Sequence, residues 1–96
     1  MTSDPGLLVL ASLADRDKHG YAIMEDIAEF AGVRLGPGTL YGAITRLEQR
    51  KWIRPTRAES RRQPYTITAA GRAHLTEELT RLEKIAKVGL KRLQPA

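Results

Sequence analysis

The segment from Asp15 to Asp26 comes nearest to a chemical site in this 96-residue chain. Asp15, Asp17, His19, Gly20 and Asp26 fall on positions of the twelve-residue calcium-binding loop. That loop needs an oxygen ligand where His19 stands and a glutamate that binds through both oxygens where Asp26 stands. The residues after His19 are also better explained as a helix. We therefore predict no calcium site here.

Other catalytic and metal-binding patterns are incomplete as well. The chain has no cysteine, which excludes disulfide bonds, a thiolate nucleophile and cysteine-based zinc sites. Its two histidines, His19 and His74, lack a ligand spacing, and Ser12 and Ser60 have no triad partners. The glycine-containing segment Gly36–Thr39 is not followed by the Gly-Lys-Ser/Thr of a phosphate loop. We therefore expect no enzyme, no cofactor and no metal.

Positive charge is concentrated in the middle of the chain. The sequence has 16 Lys and Arg against 11 Asp and Glu, a net charge of +5, yet residues 1–33 carry −4 and residues 34–72 carry +7. Such a field of one sign repels itself, and a polyanionic partner would offset that cost. A merely solvated basic face is the alternative, and charge alone does not decide between the two.

The length and hydropathy of the chain bound its architecture. This length allows one small domain, which buries only about 60 to 70% of its unfolded surface and so favours an oligomer. The longest apolar run, Leu7–Leu13, is far shorter than the about 20 residues of a membrane helix, and no basic signal-peptide region precedes it. We expect a soluble, cytoplasmic protein without membrane contact.

Three helices are predicted in the first half of the chain. Pro5–Leu13 has an aspartate N-cap and a first-position proline, and it is apolar enough to be buried. A second helix of about ten residues starts at Tyr21 and ends at Gly32, and Pro37 begins a third. The third helix carries no bulky apolar group on its outward side, which comprises Gly38, Thr39, Gly42, Thr45, Arg46 and Gln49, flanked by Tyr41 and Arg50.

A hairpin and a long helix are predicted in the second half. The β-prone segments 52–57 and 63–68 surround the basic loop 58–62. Thr68 is a suitable N-cap for a last helix that runs to about Leu93, which is about 37 Å long. Its apolar residues have the spacing of a helix that pairs with other helices, and they predict a dimer interface of Leu75, Leu79, Leu82, Ile85, Ala86, Gly89 and Leu93.

This order of elements is typical of the winged helix-turn-helix, whose third helix enters the major groove of DNA while the hairpin reaches the flanking backbone or minor groove. Contacts to bases, or close backbone approach at the glycines, are predicted for Gly38, Thr39, Gly42, Thr45, Arg46 and Gln49. Contacts to phosphates or the minor groove are predicted for Tyr41, Arg50, Lys51, Arg57, Arg61 and Arg62. Packing of Tyr41 on the hairpin is an alternative to a phosphate contact.

Three motifs follow one another along the chain at His19–Ile23, at Pro37–Tyr41 with Ile44, Arg46, Leu47 and Glu48, and at Arg61–Arg72. Together they resemble the PadR-type transcriptional regulators over about residues 7–93. The resemblance implies a homodimer built by the C-terminal helix that binds a palindromic operator, usually as a repressor released by a small molecule. The single terminal helix is similar to the short form of the family. The DNA-facing and wing positions of the family correspond to Thr39, Tyr41, Arg61 and Arg62.

Three positions depart from the family or from good helix composition. Lys51 stands where the family often has glycine, so a lysine must make the tight exit from the third helix. Pro64 replaces a residue able to donate to the strand ladder, which leaves the register at the wing base open. Gly89 costs the last helix about 1 kcal/mol relative to alanine and marks either close helix packing or early fraying.

We predict a mainly α fold with a small β-hairpin, in which residues 1–68 form a winged helix-turn-helix DNA-binding domain and residues 69–96 a dimerisation helix. The predicted function is a homodimeric, sequence-specific DNA-binding regulator, a repressor relieved by a small-molecule effector. The alternative is a winged-helix adaptor that binds another protein and not DNA. RNA binding is a weaker third hypothesis, because one Phe and three Tyr provide no usual stacking platform.

Overall fold

The computed structural model describes residues 4–58 and 61–95 as four helices and a three-stranded antiparallel sheet. The elements in chain order are α1 (Pro5–Leu13), β1 (Lys18–His19), α2 (Gly20–Ala31), α3 (Pro37–Gln49), β2 (Ile53–Pro55), β3 (Pro64–Ile67) and α4 (Ala69–Leu93). The predicted fold class is confirmed. Glu59 and Ser60 of the predicted hairpin loop, and the outermost residues of the predicted ranges 1–68 and 69–96, lie outside the described residues.

Side-chain caps mark the starts of α1, α2 and α4. An Asp4 carboxylate oxygen accepts the Gly6 N–H at 3.0 Å at the start of α1. His19 Nδ1 accepts the Ala22 N–H at 3.2 Å, so that α2 begins one residue before the predicted Tyr21. Thr68 Oγ1 accepts the Gly71 N–H at 3.0 Å and confirms the predicted cap of α4.

The strand β1 is not predicted by the sequence pattern. It forms one edge of the sheet in the order β1-β3-β2, with Lys18 opposite Tyr65 and His19 opposite Pro64. The strands β2 and β3 are shorter than the segments predicted for them. Pro64 is the first residue of the central strand, where the missing N–H interrupts the ladder least, and this pairing fixes the register that the sequence leaves open.

A buried lysine fastens β1 to the helices. The Lys18 side chain is only 4% exposed, and its ammonium donates to the Ser12 carbonyl and, at 2.6 Å, to an Asp15 carboxylate oxygen. Asp26 lies 3.9 Å from the ammonium and accepts the Ser12 hydroxyl at 2.7 Å. The bond from Lys18 holds the pKa of Asp15 below its usual value, so the stability from this pair is present at neutral pH and is lost as the pH falls through the folded-state pKa.

One apolar core joins all four helices and the sheet. The α1 helix contributes much of it, as its apolar sequence predicts, and the stripe of α3 faces the same core. The buried apolar side chains are Val9, Leu10, Leu13, Ile23, Ile27, Leu35, Leu40, Ala43, Ile44, Leu47, Ile53, Ile67 and Leu75. Burial of this continuous surface fixes which side of α3 remains outside.

Lys51 makes the left-handed turn between α3 and β2. Its φ is 63°, and it is the single non-glycine residue with a positive φ among the described residues. Its N–H donates to the Glu48 carbonyl at 2.9 Å, and its own carbonyl accepts the Thr68 hydroxyl at 2.7 Å. The expectation that a lysine makes this tight exit is confirmed.

The helix α4 extends beyond the core. Only Gly71 and Leu75 of its 25 residues are buried, and the chain measures 57 × 26 × 20 Å along its principal axes. The helix is continuous through Gly89 to Leu93. Within the part of the chain that the structure describes, no helix is long and apolar enough to cross a membrane.

Candidate nucleic-acid interface

The outward face of α3 is small, polar and exposed. Leu40, Ala43, Ile44 and Leu47 of this helix are buried, which turns the opposite side to solvent. No atom lies within 4 Å of where a Cβ would stand on Gly38, and Gly42 is partly buried with an Arg46 nitrogen 3.5 Å from such a Cβ. The exposed members of the predicted DNA-contact set on this helix and its C-terminal end are Gly38, Thr39, Tyr41, Thr45, Arg46, Gln49, Arg50 and Lys51.

Thr45 is restricted in what it can offer to a base edge. Its hydroxyl donates to the Tyr41 carbonyl at 2.9 Å within α3. Its oxygen keeps lone pairs that can accept, so in this geometry the side chain presents an acceptor and a methyl group outward. Gln49, one turn further along and exposed, has an amide that both donates and accepts.

Arg46 and Arg50 lie on the flank of α3 that faces α1 and α4. The Arg50 guanidinium carbon is 5.1 Å from the centroid of the Trp52 ring, in cation–π geometry. Trp52 in turn stacks on His74 of α4 with ring centroids 3.8 Å apart. Both arginines also line a groove of about 380 Å³ between α1, α3 and α4, which we call the helix groove. Its other lining residues are Asp4, Gly6, Leu7, Leu10, Ala43, Leu47, Trp52, His74 and Glu78.

The wing is basic and is closed at its base by hydrogen bonds. The Thr56 N–H donates to the Pro64 carbonyl at 2.9 Å, and the Gln63 amide donates to the Thr56 carbonyl at 2.6 Å. Arg57, Arg61 and Arg62 are exposed beyond these bonds. The hairpin therefore carries its arginines on the surface of the protein, on the same side as α3.

A second cavity, of about 420 Å³, lies where the wing meets the start of α2 and the flank of α3, and we call it the wing cleft. Arg62 Nη1 is 3.3 Å from His19 Nε2, and its guanidinium carbon is 5.7 Å from the centroid of the Tyr21 ring. Burial raises the pKa of the Tyr65 phenol above its ordinary value. The lining residues are His19, Gly20, Tyr21, Tyr41, Arg61, Arg62, Gln63 and Tyr65.

The Tyr41 side chain packs against the start of α2 and does not extend freely into solvent. Its hydroxyl occupies the space where a side chain at residue 20 would begin, so Gly20 is what allows this contact. The ring remains 49% exposed and still faces the wing cleft. The packing observed is on the start of α2, and the contact of the Tyr41 hydroxyl with a phosphate stays a prediction.

His19 and Tyr21 are not among the predicted DNA contacts, although the motif His19–Ile23 contains both. In the sequence this motif marks only the start of a helix, because the proximity of both residues to Arg62 is a long-range consequence of the pairing of β1 with β3. A histidine N-cap followed by glycine and tyrosine is the one local signal that points to them.

The region considered for calcium has a different role. Asp15 and Asp26 contact Lys18 and Ser12, as described above, and His19 caps α2. Over residues 4–58 and 61–95, no group of three or more His, Asp or Glu is arranged to hold a metal ion.

The predicted dimer residues differ in exposure. Leu75 is buried in the core of its own chain and Leu82 is half-buried. Leu79, Ile85 and Leu93 are 45%, 56% and 81% exposed, and Ala86 and Gly89 are exposed between them. The apolar row that is available to another molecule therefore begins near Leu79.

Known families and sequences include clear relatives of this chain. Residues 9–77 match the family described as "Transcriptional regulator PadR-like family". The transcriptional regulator Rv3488 of Mycobacterium tuberculosis is 36% identical over 85 residues, covering 84% of this chain and 78% of the relative. An uncharacterised 37.1 kDa protein of transposon TN4556 from Streptomyces fradiae is 44% identical over 85 residues, covering 88% of this chain. This chain spans only 25% of the length of that Streptomyces protein.

Solved structures show the same architecture. A PadR family transcription regulator from Clostridium difficile R20291 has a TM-score of 0.83 at 26% identity, covering 96% of this chain and 100% of the other. A transcriptional regulator from Clostridium thermocellum has a TM-score of 0.81 at 27% identity, covering 98% and 99%. The similarity therefore includes α4 as well as the helix-turn-helix.

Proposed function

Because this chain belongs to the PadR-like family of transcriptional regulators, we propose that it is a homodimeric, sequence-specific DNA-binding repressor that acts in the cytoplasm and is released by a small-molecule effector. In this proposal residues 1–68 bind DNA and residues 69–96 dimerise. The observation that carries it is the polar, exposed face of α3 beside an arginine-bearing wing. A family of regulators also agrees with a chain in which no catalytic motif is complete.

The shape of α3 favours entry into the major groove. The two glycines on its outer side remove side chains where the helix backbone must come close to the bases. Thr39, Thr45 and Gln49 then present hydrogen-bonding groups to base edges, with Arg46 on the flank. Contacts to phosphates fall to the surrounding cations and to Tyr41, and the proposed set is Arg50, Lys51, Arg57, Arg61 and Arg62.

The proposed dimer partner is a second copy of this chain. The exposed apolar residues from Leu79 to Leu93 on α4 continue the row of the buried Leu75, and neighbouring exposed apolar residues favour an interaction surface. Two copies paired through it would be related by a two-fold axis, which displays two α3 helices and two wings. A two-fold protein matches a palindromic operator.

The helix groove is the site that we propose for the small-molecule effector. Its volume of about 380 Å³ is within the range of small-molecule sites. It is lined by α3, which would contact DNA, and by α4, which would dimerise, so a molecule bound there would act on both. An effector of this kind would bias the spacing of the two α3 helices.

Selection of bound fragments from random duplex DNA, followed by a salt titration, tests the function. We expect a palindromic sequence to be enriched, and the logarithm of the affinity to fall by about 0.9 per neutralised phosphate against the logarithm of salt concentration. Weak binding that does not depend on salt would contradict DNA regulation. A stable complex with another protein, together with no protected site on DNA, would favour the adaptor.

Substitutions in the wing and in α3 should separate affinity from sequence choice. Arg61→Ala with Arg62→Ala is expected to weaken binding to all sequences and to lower the salt slope by about 0.9 per lost phosphate contact. Gln49→Ala is expected to cost about 1 to 3 kcal/mol on the selected operator and little on random DNA. Binding isotherms on both DNAs measure this difference.

The charge-matched control is Lys84→Ala with Lys87→Ala, since both lysines are exposed on α4 away from the wing. It should leave the salt slope near the wild-type value. Equal losses for this control and for the wing pair would show that the wing makes no specific phosphate contact. A change of sequence preference in the wing variant alone would contradict the assignment of base contacts to α3.

A further inference from the structure

The position of the proton on the His19 ring follows from its role as a cap. His19 Nδ1 accepts the Ala22 N–H at 3.2 Å at the start of α2. A nitrogen that accepts carries no proton, so the neutral ring carries its proton on Nε2. Nε2 is therefore a donor, and it lies at the wing cleft beside Arg62.

The neighbour of that donor is another donor. Arg62 Nη1 is 3.3 Å from His19 Nε2, and a guanidinium has no acceptor. The two N–H groups cannot bond to each other, yet the fold holds them side by side. An acceptor with several lone pairs that lies within reach of both would accept from each at once, as a phosphate oxygen does.

The surroundings favour an anion over a neutral acceptor. The guanidinium of Arg62 lies 5.7 Å from the centroid of the Tyr21 ring, which supports a cation on its face. Arg61 also lines the cleft and contributes a second positive charge. Gln63 is occupied with the Thr56 and Pro64 carbonyls, so it shapes the wing and does not select the ligand.

The location of the cleft indicates which anion. Tyr41 from the flank of α3 and Arg61 from the wing both line it, so the cleft lies at the junction between the two elements proposed to contact DNA. A DNA strand that passes from the groove occupied by α3 to the wing must place its backbone there.

Resting on the proposed DNA binding, we propose that His19 and Arg62 jointly clamp one backbone phosphate of duplex DNA in the wing cleft, with Tyr21 positioning the arginine. The two ring nitrogens of His19 thus have different roles, since Nδ1 caps α2 and Nε2 donates to the phosphate. The contact adds affinity without reading sequence, because phosphates are the same at every base pair.

A double-mutant cycle on DNA binding is the first test. His19→Ser keeps an N-cap acceptor and removes the Nε2 donor. We expect His19→Ser to lower affinity for operator and for random duplex alike by about 10- to 100-fold, the range for a hydrogen bond to a charged group. Arg62→Ala should also weaken binding, and the double variant should lose less than the product of the two single losses because both donors serve one phosphate.

Nuclear magnetic resonance of the full chain labelled with nitrogen-15 tests the clamp on the wild-type fold, without a substitution at either clamp residue. His19 and His74 are the only histidines, so His74→Gln assigns their ring signals. In the free protein we expect His19 to show the tautomer with the proton on Nε2. Addition of the operator duplex should move that N–H signal downfield and protect it from exchange, and inorganic phosphate is the probe for a free anion.

The outcomes separate this inference from the proposed function. If the wild-type chain does not bind duplex DNA, the proposed function fails and the clamp fails with it. If the wild type binds DNA but His19→Ser binds equally well, or the two losses multiply, or the Nε2 signal is unchanged on DNA, the clamp alone is wrong. A response to inorganic phosphate but not to DNA would make the cleft a free-anion site and would also overturn the clamp.

Discussion

Gly71→Ala is expected to destabilise the fold by about 3 kcal/mol, the upper part of the usual range for overpacking. A Cβ on residue 71 would stand 2.9 Å from the Trp52 carbonyl carbon and 3.0 Å from a methylene of Ile67, and it would overlap the Trp52 carbonyl oxygen. The obstacle is backbone, so no side-chain rotation relieves it. The start of α4 would have to move away, which would stretch the 2.9 Å bond from the Thr68 N–H to the Trp52 carbonyl.

The matched control adds the same methyl group to another helical glycine. Gly38 is exposed near the start of α3 with no atom within 4 Å of its would-be Cβ, so Gly38→Ala should raise stability by about 0.5 kcal/mol. Urea unfolding at one fixed protein concentration measures both, since the proposed dimerisation would make stability depend on concentration. A wild-type midpoint for Gly71→Ala would refute the close packing of α4 on Trp52.

Leu79→Lys combined with Leu82→Lys is expected to convert the proposed dimer into a monomer. Both positions lie on the apolar row of α4, and an ammonium group placed in an apolar interface loses hydration without gaining a partner. Because a palindromic operator is held by two DNA-binding surfaces at once, the monomer should bind it about 100-fold more weakly or worse. Sedimentation equilibrium and operator titration measure the two effects.

The control for charge is Ala73→Lys with Thr80→Lys. Both residues are exposed on the opposite side of α4, and the pair adds the same two positive charges. This variant should remain a dimer and should not lose operator affinity. A dimer that survives both leucine substitutions would remove α4 from the interface and would leave its apolar row for a different protein.

The outward face of α3 could be predicted because it depends only on local periodicity. Four apolar residues at helical spacing define the buried side of a helix, and the opposite side follows by geometry. The starts of α1 and α4 could also be predicted from local sequence, because their caps at Asp4 and Thr68 are local hydrogen bonds. The left-handed exit at Lys51 could be expected from the resemblance to the PadR family, which often has glycine at this position.

What escaped prediction depends on contacts between distant parts of the chain. The strand β1 has only two residues and exists through its pairing with β3, so Lys18 looks like part of a charged turn until Tyr65 is beside it. The lysine is buried because the Ser12 carbonyl and Asp15 meet its ammonium, an arrangement without a sequence period. The contact of the Arg50 guanidinium with the Trp52 ring is likewise not visible on a helical wheel.

The lysine at φ 63° has a consequence for how this sequence can change over evolutionary time. A side chain in the left-handed region costs about 1 to 2 kcal/mol, and glycine would avoid that cost. Lys51 is exposed next to the surface that we propose for DNA, where a cation adds affinity. Thermal stability therefore favours glycine at position 51, whereas affinity for the proposed operator favours lysine. A lineage that adapts to higher temperature would gain from glycine there, while one that must hold its operator at high salt would keep the lysine.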